Sequence, residues 1–374
     1  MNNPFSIEPY TSKDLFCDRV SEVKEVIELL AGGSNVTLIS PRRYGKTGLI
    51  YRIFDELSSK KQKKLCFYLD IFSAQSIDDF IKLFAESIAA LITEESALKK
   101  FFGLIKSARP LLSYDPISGN PQLSMVFQNT EQRHYTLKAL FEFLEKQKQK
   151  VILAIDEFQQ IRNFKETNVE ALLRTYIQPL HNVKFIFCGS KKHIMNDMFT
   201  NAKSPFYEST SCIYLEKIPQ NNYADFIKNI FETHGKRISE DSIDFILEWT
   251  KRHTYYTQYL CNQIFSRDIK KIDLDFTRNV AATILKRNSQ RFFEIRELIT
   301  DNQWNYLKAV AKEGTISQPT AAHFLMKYNL GNAASAKKIV TALVGKELLL
   351  EELTETGKVY SVYNVFMSRW MESL

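Results

Sequence analysis

The feature that most constrains this chain is a short apolar run that leads into Gly45-Lys46-Thr47. Residues 35–40 read NVTLIS, and residues 41–48 continue as PRRYGKTG. A loop between a strand and a helix offers backbone N–H groups to phosphate oxygens, and the helix dipole favours their charge. The lysine of such a loop reaches the terminal phosphates, and the threonine hydroxyl ligates Mg²⁺. Residues 40–48, the phosphate loop, are expected to contact a nucleotide through Pro41, Arg42, Arg43, Tyr44, Gly45, Lys46, Thr47 and Gly48.

The phosphate loop departs from the usual pattern at its first position, where Ser40 replaces glycine. A second motif supports it, because residues 151–158 read VILAIDEF. Asp156 ends an apolar strand, so its carboxylate is expected at the edge of a parallel sheet where ligands bind. We predict that Thr47 and Asp156 hold Mg²⁺, and that Glu157 polarises the attacking water. The alternative is that IDEF only begins a surface loop.

Ser190 ends a second strand-like segment, FIFCGS, at the same predicted edge. A small polar group at that place can hydrogen-bond the γ-phosphate or position the attacking water. Equally, Ser190 can cap the helix that follows. Together with Lys46 and Glu157, it completes the predicted catalytic set.

Composition favours a soluble globular protein of more than one domain. The chain has 374 residues, of which 44% are hydrophobic and 25% charged. Its net charge of +7 permits a phosphate-rich partner without requiring one. The five cysteines are dispersed and form no C-x-x-C pair, which favours buried thiols in a reducing compartment. Without a signal-peptide pattern or 18 consecutive apolar residues, we expect a cytoplasmic protein with no membrane span.

The pattern over residues 1–218 alternates apolar strands with amphipathic helices, which predicts an α/β domain with a parallel sheet. Residues 108–124 contain three prolines and are expected to form an exposed insertion. From Pro219 onward we predict only helices over residues 219–299, which form a helical lid and a connecting helix. Residues 300–374 are predicted to form three helices and a hairpin turned around Thr356-Gly357, the layout of a winged helix-turn-helix.

Several segments together make the chain similar to a known family. It resembles the archaeal-type branch of the AAA+ ATPases, close to the STAND signalling ATPases, over nearly its whole length. The resemblance depends on segments in this order: NPF, LFCDRVSEV, PRRYGKT, LAIDEFQ, FIFCGS, SPFY, HTYYTQYL and the terminal winged helix. It implies a P-loop NTPase fold of AAA+ type that binds ATP and Mg²⁺. It also implies that Phe5, Phe16 and Arg19 pack on the adenine, with plain core packing as the alternative for the two phenylalanines.

Two departures from the family pattern bear on hydrolysis. Glu208-Ser209 stands where the family usually has Gly-Arg, a candidate to contact phosphate or a neighbouring subunit. Its absence makes arginine-assisted hydrolysis doubtful. Arg252-His253-Thr254 stands where the family has Gly-His-Pro in the lid. Arg252 can sense the γ-phosphate from the lid, or it can belong to a solvated helix start.

The winged helix leaves its partner open between DNA and a protein contact, which includes packing within this chain. Its second pair of helices presents polar and basic side chains, with one more lysine on the wing, which suit phosphate contacts. Acidic side chains on the same wing would repel a phosphate backbone. The residues favouring DNA are Asn332, Ser335, Lys337, Lys338 and Lys358, and those opposing it are Glu351, Glu352 and Glu355.

These features predict an ATP-binding protein whose Mg²⁺-dependent hydrolysis drives rearrangement of the lid and the winged helix. One alternative is a nucleotide-gated signalling module with negligible hydrolysis, and another is a DNA-binding AAA+ ATPase. ATP and ADP are the expected ligands. A homo-oligomer that depends on the bound nucleotide is also left open.

Overall fold

The fold consists of two compact units. The structure, a computed structural model, describes residues 3–8, 10–59, 64–114, 121–354 and 357–374. The first unit, which we call the core unit, spans Glu8–Glu216. The second, which we call the lid–wing unit, combines Met1–Ile7 with Lys217–Leu374. Within the described ranges, no helix is both long and apolar enough to cross a membrane.

A five-stranded parallel sheet organises the core unit. The strands of this unit are β1 (Val36–Ile39), β2 (Leu65–Asp70), β3 (Leu111–Tyr114), β4 (Pro121–Ser124), β5 (Val151–Asp156), β6 (Val183–Gly189) and β7 (Ser211–Tyr214). The parallel sheet has the order β2-β5-β6-β1-β7, and β3 and β4 form a separate antiparallel hairpin. All five parallel strands therefore end at one edge, as the sequence predicts.

Helices cover both faces of this sheet. They are α1 (Val20–Ala31), α2 (Lys46–Ser59), α3 (Ile77–Ala89), α4 (Glu95–Leu104), α5 (Thr130–Glu145), α6 (Val169–Ile177) and α7 (Lys192–Thr200), with 3-10 turns at Lys106–Ala108 and Phe158–Asn163. Alternate residues of β5 enter different clusters: Leu153 packs in the cluster with α3, α5 and α6, and Ala154 in the cluster with α1 and α2. This alternation follows from the two-residue period of a strand and confirms the α/β architecture.

The predicted insertion has more structure than its proline content indicates. Its described part includes the β3–β4 hairpin, and Leu123 is buried against the core cluster. Residues 115–120, also within the predicted insertion, lie outside the described part of the chain. The helices α4 and α7 and the 3-10 turn after β5 are further elements that the sequence pattern does not reveal.

The lid–wing unit is mostly helical. Its elements are α8 (Gln220–Thr233), β8 (Arg237–Ile238), α9 (Glu240–Trp249), α10 (Thr254–Phe265), β9 (Lys271–Ile272), α11 (Leu274–Glu297), α12 (Asp301–Glu313), α13 (Ala322–Lys327), α14 (Ala333–Gly345), β10 (Leu349–Thr354), β11 (Gly357–Val362) and α15 (Val365–Glu372). The expectation that strands stop at Pro219 is wrong in one detail, because β8 and β9 form a two-residue parallel pair. The antiparallel pair β10–β11 is the expected wing. The turn residue Thr356 and the wing residue Glu355 lie outside the described ranges.

The first residues of the chain belong to the lid–wing unit, although the sequence places them with the core. Phe5 is only 1% exposed, and its ring lies 4.9 Å from that of Phe231 and 6.0 Å from that of Phe265. Asn262 donates a hydrogen bond to the carbonyl of Phe5 at 2.7 Å. Phe5 therefore packs in the core of the lid–wing unit, as the alternative to an adenine contact predicts.

The last helix, α15, joins the lid to the winged helix. The ring of Phe366 lies 4.7 Å from that of Tyr256 in α10 and 5.4 Å from that of Trp249 in α9. On the winged-helix side, the ring of Trp370 lies 5.4 Å from that of Phe292 and 5.9 Å from that of Trp304. The lid and the winged helix, separate in the sequence prediction, therefore share one unit.

Candidate functional site

The phosphate loop connects β1 to α2 and carries two left-handed backbone positions. Arg43 has a φ of 65° and Gly45 a φ of 94°. Only glycine adopts such a conformation without a steric cost, so Gly45 meets a requirement of the turn. Ser40 is buried, and its hydroxyl donates to the carbonyl of Pro41 at 3.0 Å. The serine that replaces the family glycine is thus accommodated inside the loop.

Lys46 begins α2 and folds back over the loop. Its Nζ donates to the carbonyls of Ser40 at 3.2 Å and Pro41 at 3.4 Å, and the residue is 6% exposed. Burial lowers the pKa of Lys46, and the carboxylates of Asp156 and Glu157 oppose that shift. A buried ammonium group beside backbone dipoles is suited to binding an anion.

Thr47 and Asp156 meet at the carboxyl edge of the sheet, as predicted. Asp156 ends β5 and is 6% exposed. Its Oδ2 accepts from the hydroxyls of Thr47, at 3.4 Å, and of Tyr68, and its Oδ1 accepts from the backbone N–H of Glu157 at 2.9 Å. A hydroxyl and a carboxylate are oxygen ligands of the kind that Mg²⁺ prefers.

The hydroxyl of Thr47 and the carboxylate of Asp156 suit Mg²⁺ bound together with a phosphate better than they suit a metal bound by protein side chains alone. In the described part of the chain, no three His, Cys, Asp or Glu residues group as a metal site. Mg²⁺ is commonly held by one or two carboxylates together with substrate phosphates and water. The pair Thr47 and Asp156 beside the phosphate loop matches that mode.

Glu157 is held by two neighbours. Its Oε2 accepts from the hydroxyl of Ser190 at 2.8 Å and from the side-chain amide of Gln159. Arg42 in turn donates from Nε to the hydroxyl oxygen of Ser190 at 3.4 Å. Helix α7 begins after Lys191 without a side-chain cap, so Ser190 faces Glu157 instead of capping the helix.

Gln159 and Tyr68 are site residues that the sequence analysis misses. Gln159 Oε1 is buried and accepts no hydrogen bond among the described residues. It lies 2.2 Å from the place where a Cβ on Gly189 would stand, so only glycine fits at the end of β6. The QQ that follows IDEF is the only sequence signal for Gln159, and nothing near Tyr68 marks it.

Comparison with known proteins agrees with this geometry. The family model described as an ATPase domain predominantly from Archaea matches residues 16–257, and one described as a probable winged helix domain matches residues 290–373. This chain belongs to that archaeal-type ATPase family. No curated protein matches the sequence significantly.

Solved structures support the fold of this ATPase family member over its full length. The Walker-type ATPase paby2304 of Pyrococcus abyssi is 16% identical, with a TM-score of 0.66 and coverage of 98% of this chain and 99% of that one. The Orc2 protein of Aeropyrum pernix, solved in ADPNP-ADP complexes, is 12% identical, with a TM-score of 0.56 and coverage of 99% and 98%. The Orc1 protein of the same organism, solved in complex with DNA, is 13% identical, with a TM-score of 0.52 and coverage of 99% and 96%.

Two predicted adenine contacts of the ATPase domain lie just before and at the start of α1. Arg19 is buried, pairs with Glu22 at 2.6 Å, and donates to the carbonyl of Glu216 at 2.6 Å. Its φ of 65° places it in the left-handed region. Phe16 is half-buried, and its ring lies 5.6 Å from that of Tyr10. Their contact with adenine stays a prediction.

The predicted lid sensor of the ATPase, Arg252, belongs to the lid–wing unit. It is half-buried and donates to the carbonyl of Ile218 at 3.4 Å. Together with Lys217 and Lys251 it lines an open cavity of this unit. Phosphate sensing by Arg252 and its alternative, a place at a solvated helix start, both stay predictions.

The winged helix of the ATPase exposes only part of its predicted basic surface. Lys337 and Lys338 are exposed on α14, whereas Asn332 caps that helix by accepting from the backbone N–H of Ser335 at 2.9 Å. On the wing, Lys358 pairs with Glu351 at 2.7 Å. That pairing reduces the positive charge that the wing can offer a phosphate backbone.

Proposed function

We propose that this protein binds ATP with Mg²⁺ at the phosphate loop and hydrolyses it slowly. The observation that carries the proposal is the meeting of three predicted groups at one edge of the sheet. Thr47 lies 3.4 Å from Asp156, and Glu157 beside them is held by Ser190. Membership of the archaeal-type ATPase family supports the same conclusion.

Each residue of the site has a defined task in this proposal. Lys46 and the backbone N–H groups of the phosphate loop stabilise charge on the terminal phosphates. Thr47 and Asp156 hold Mg²⁺, which when bound neutralises negative charge on the phosphate oxygens. Glu157 orients the attacking water and accepts its proton, while Ser190 and Gln159 fix the carboxylate.

Slow turnover is proposed because an arginine is missing from the expected place. Glu208-Ser209 occupies the position of the family Gly-Arg, and the backbone N–H of Glu208 bonds to the carbonyl of Phe199 at 3.2 Å. An arginine that contacts the transferring phosphoryl group accelerates hydrolysis by orders of magnitude. If none is supplied by another chain, ATP would persist long enough to act as a signal.

We propose that the signal is read by the lid–wing unit. ATP and ADP can bias two arrangements of a protein only through different contacts with each. Because α15 fastens the lid to the winged helix, the two respond as one body.

Phosphate release by the wild type and by Glu157→Gln tests hydrolysis. We expect a loss of about 100-fold or more in kcat, because the glutamine cannot accept the proton of the attacking water. ATP binding should persist. Glu95→Gln is the matched control, since Glu95 is an exposed residue of α4. Equal rates in the wild type and Glu157→Gln would contradict enzymatic hydrolysis and favour a nucleotide-gated module.

The exposed lysines of α14 favour a partner contact as a second function. We propose that Lys337 and Lys338 bind an acidic partner, and the similar Orc1 structure in complex with DNA makes DNA the first candidate. Fluorescence anisotropy with duplex DNA should show binding that weakens steeply as salt rises. Lys337→Glu with Lys338→Glu should abolish it. An unchanged anisotropy at low salt would exclude DNA and leave an acidic protein surface.

Solution mass tests whether the proposed cycle includes assembly. We expect any homo-oligomer to respond to the nucleotide, so mass should be measured with ADP and with a non-hydrolysable ATP analogue. A constant monomer in both would exclude nucleotide-dependent assembly.

A further inference from the structure

Tyr68 lies on β2, the neighbour of β5, and reaches the carboxylate of Asp156. In the parallel register, Tyr68 stands opposite Ala154 and Asp70 stands opposite Asp156. Two residues of a strand span about 6.6 Å, close to the length of a tyrosine side chain. Because the side chain of Ala154 is small, it leaves room for the phenol ring to extend along the sheet. The hydroxyl of Tyr68 then donates to Oδ2 of Asp156.

The phenol ring is fixed in that place. The ring of Tyr51, on α2, lies 5.5 Å from the ring of Tyr68 at an angle of 33°. A phenol carries its proton at neutral pH, so Tyr68 serves as a hydrogen-bond donor to the carboxylate of Asp156.

Three donors together determine the orientation of Asp156. Tyr68 and Thr47 donate to Oδ2, and the backbone N–H of Glu157 donates to Oδ1. Two of these donors belong to Thr47 and Glu157, residues that the sequence already marks as parts of the site. Tyr68 is the additional donor, and it comes from a strand that carries no other predicted site residue.

We propose that Tyr68 is a positioning residue that orients Asp156 for the Mg²⁺–nucleotide complex and so sets the Mg²⁺ dependence of nucleotide affinity. The inference rests on the proposed function, because it requires that the phosphate loop binds nucleotide with Mg²⁺. It does not require hydrolysis. A role in stability alone would leave the Mg²⁺ dependence unchanged.

Equilibrium binding of a fluorescent ATP analogue tests this inference, first with a chelator and then across a Mg²⁺ titration. Tyr68→Phe keeps the ring and removes only the hydroxyl. Tyr51→Phe is the matched control, since it removes the hydroxyl of the neighbouring tilted ring, and no hydrogen bond from that hydroxyl to a carboxylate occurs among the described residues. Circular dichroism establishes that both variants are folded before titration.

We expect Tyr68→Phe to need roughly tenfold more Mg²⁺ for the half-maximal gain in affinity, the size of one hydrogen bond to a charged group. Affinity in chelator should be unchanged, and Tyr51→Phe should behave as the wild type. Superimposed Mg²⁺ curves for Tyr68→Phe and the wild type would overturn the inference. A shift to lower Mg²⁺ would also overturn it, because the phenol would then compete with the metal. A wild type that gains no affinity from Mg²⁺ would instead overturn the Mg²⁺ site of the proposed function.

Discussion

The proposed nucleotide site of the core unit and the α15 junction of the lid–wing unit differ in how visible they are in the sequence. The site uses polar residues whose types and spacing are dictated by phosphate and magnesium chemistry. The junction uses Phe366 and Trp370, which pack against rings from helices far away in the chain. Many apolar sequences satisfy a packing requirement, whereas few satisfy a catalytic one. Function is therefore easier to recognise here than the contacts that connect its parts.

The two regions can also be followed separately in experiments. All three tryptophans of the chain, Trp249, Trp304 and Trp370, lie in the lid–wing unit. Tryptophan fluorescence therefore reports on the junction, and nucleotide binding reports on the core unit. The following variants use this division.

Phe366→Ala should have the largest effect on stability. Phe366 is 5% exposed and contacts the rings of Trp249, Tyr256 and Tyr259. Removing a buried phenylalanine ring costs about 3–5 kcal/mol of unfolding free energy. Urea denaturation followed by tryptophan fluorescence measures the loss.

Met326→Ala is the control for this comparison, because Met326 is 76% exposed on α13. We expect a change within about 0.5 kcal/mol for that surface substitution. If the urea midpoint of Phe366→Ala equalled that of the control, α15 would not fasten the lid to the winged helix.

Gly189→Ala tests the close packing behind Gln159, which holds the carboxylate of Glu157. The new Cβ would lie 2.2 Å from Gln159 Oε1 and 2.5 Å from Met195 Sδ. Overpacking of this kind costs about 1–3 kcal/mol. Gly103→Ala, in α4 with no atom within 4 Å, should instead stabilise by about 0.5–1 kcal/mol. Denaturation followed by circular dichroism compares them, and equal stability of Gly189→Ala and the wild type would refute the crowding.

Among the three test variants, as distinct from their controls, Arg369→Gln should have the smallest effect on stability. Arg369 donates to the carbonyls of Trp249 at 2.8 Å and Glu248 at 2.9 Å, at the end of α9. Losing these bonds should cost about 1–2 kcal/mol of unfolding free energy. Arg278→Gln is the control, since its side chain is 58% exposed. Unfolding followed by tryptophan fluorescence measures both variants. If Arg369→Gln lost no more unfolding free energy than the control, the aromatic contacts alone would hold α15 against α9.

The parallel sheet could be predicted because each strand is a short apolar run. The phosphate loop and the residues Asp156, Glu157 and Ser190 could be predicted because they lie at the end of such a run or directly after it. Tyr68 could not, since its role depends on the register of β2 against β5 and on the small side chain of Ala154. The place of Phe5 in the lid was also hidden, because its partners lie more than 200 residues away. Contacts between distant segments leave no periodic pattern in the sequence.

The most direct test of the account is ATP binding by Lys46→Ala, measured by isothermal titration calorimetry in the presence of Mg²⁺. Removing the buried ammonium group leaves the phosphate charge without its main partner, so affinity should fall by about 100-fold or more. Lys24→Ala is the control, because Lys24 is exposed on α1. We predict heat of binding for the wild type and the control, and none for Lys46→Ala at the same concentrations. Equal affinities in all three proteins would contradict nucleotide binding at the phosphate loop.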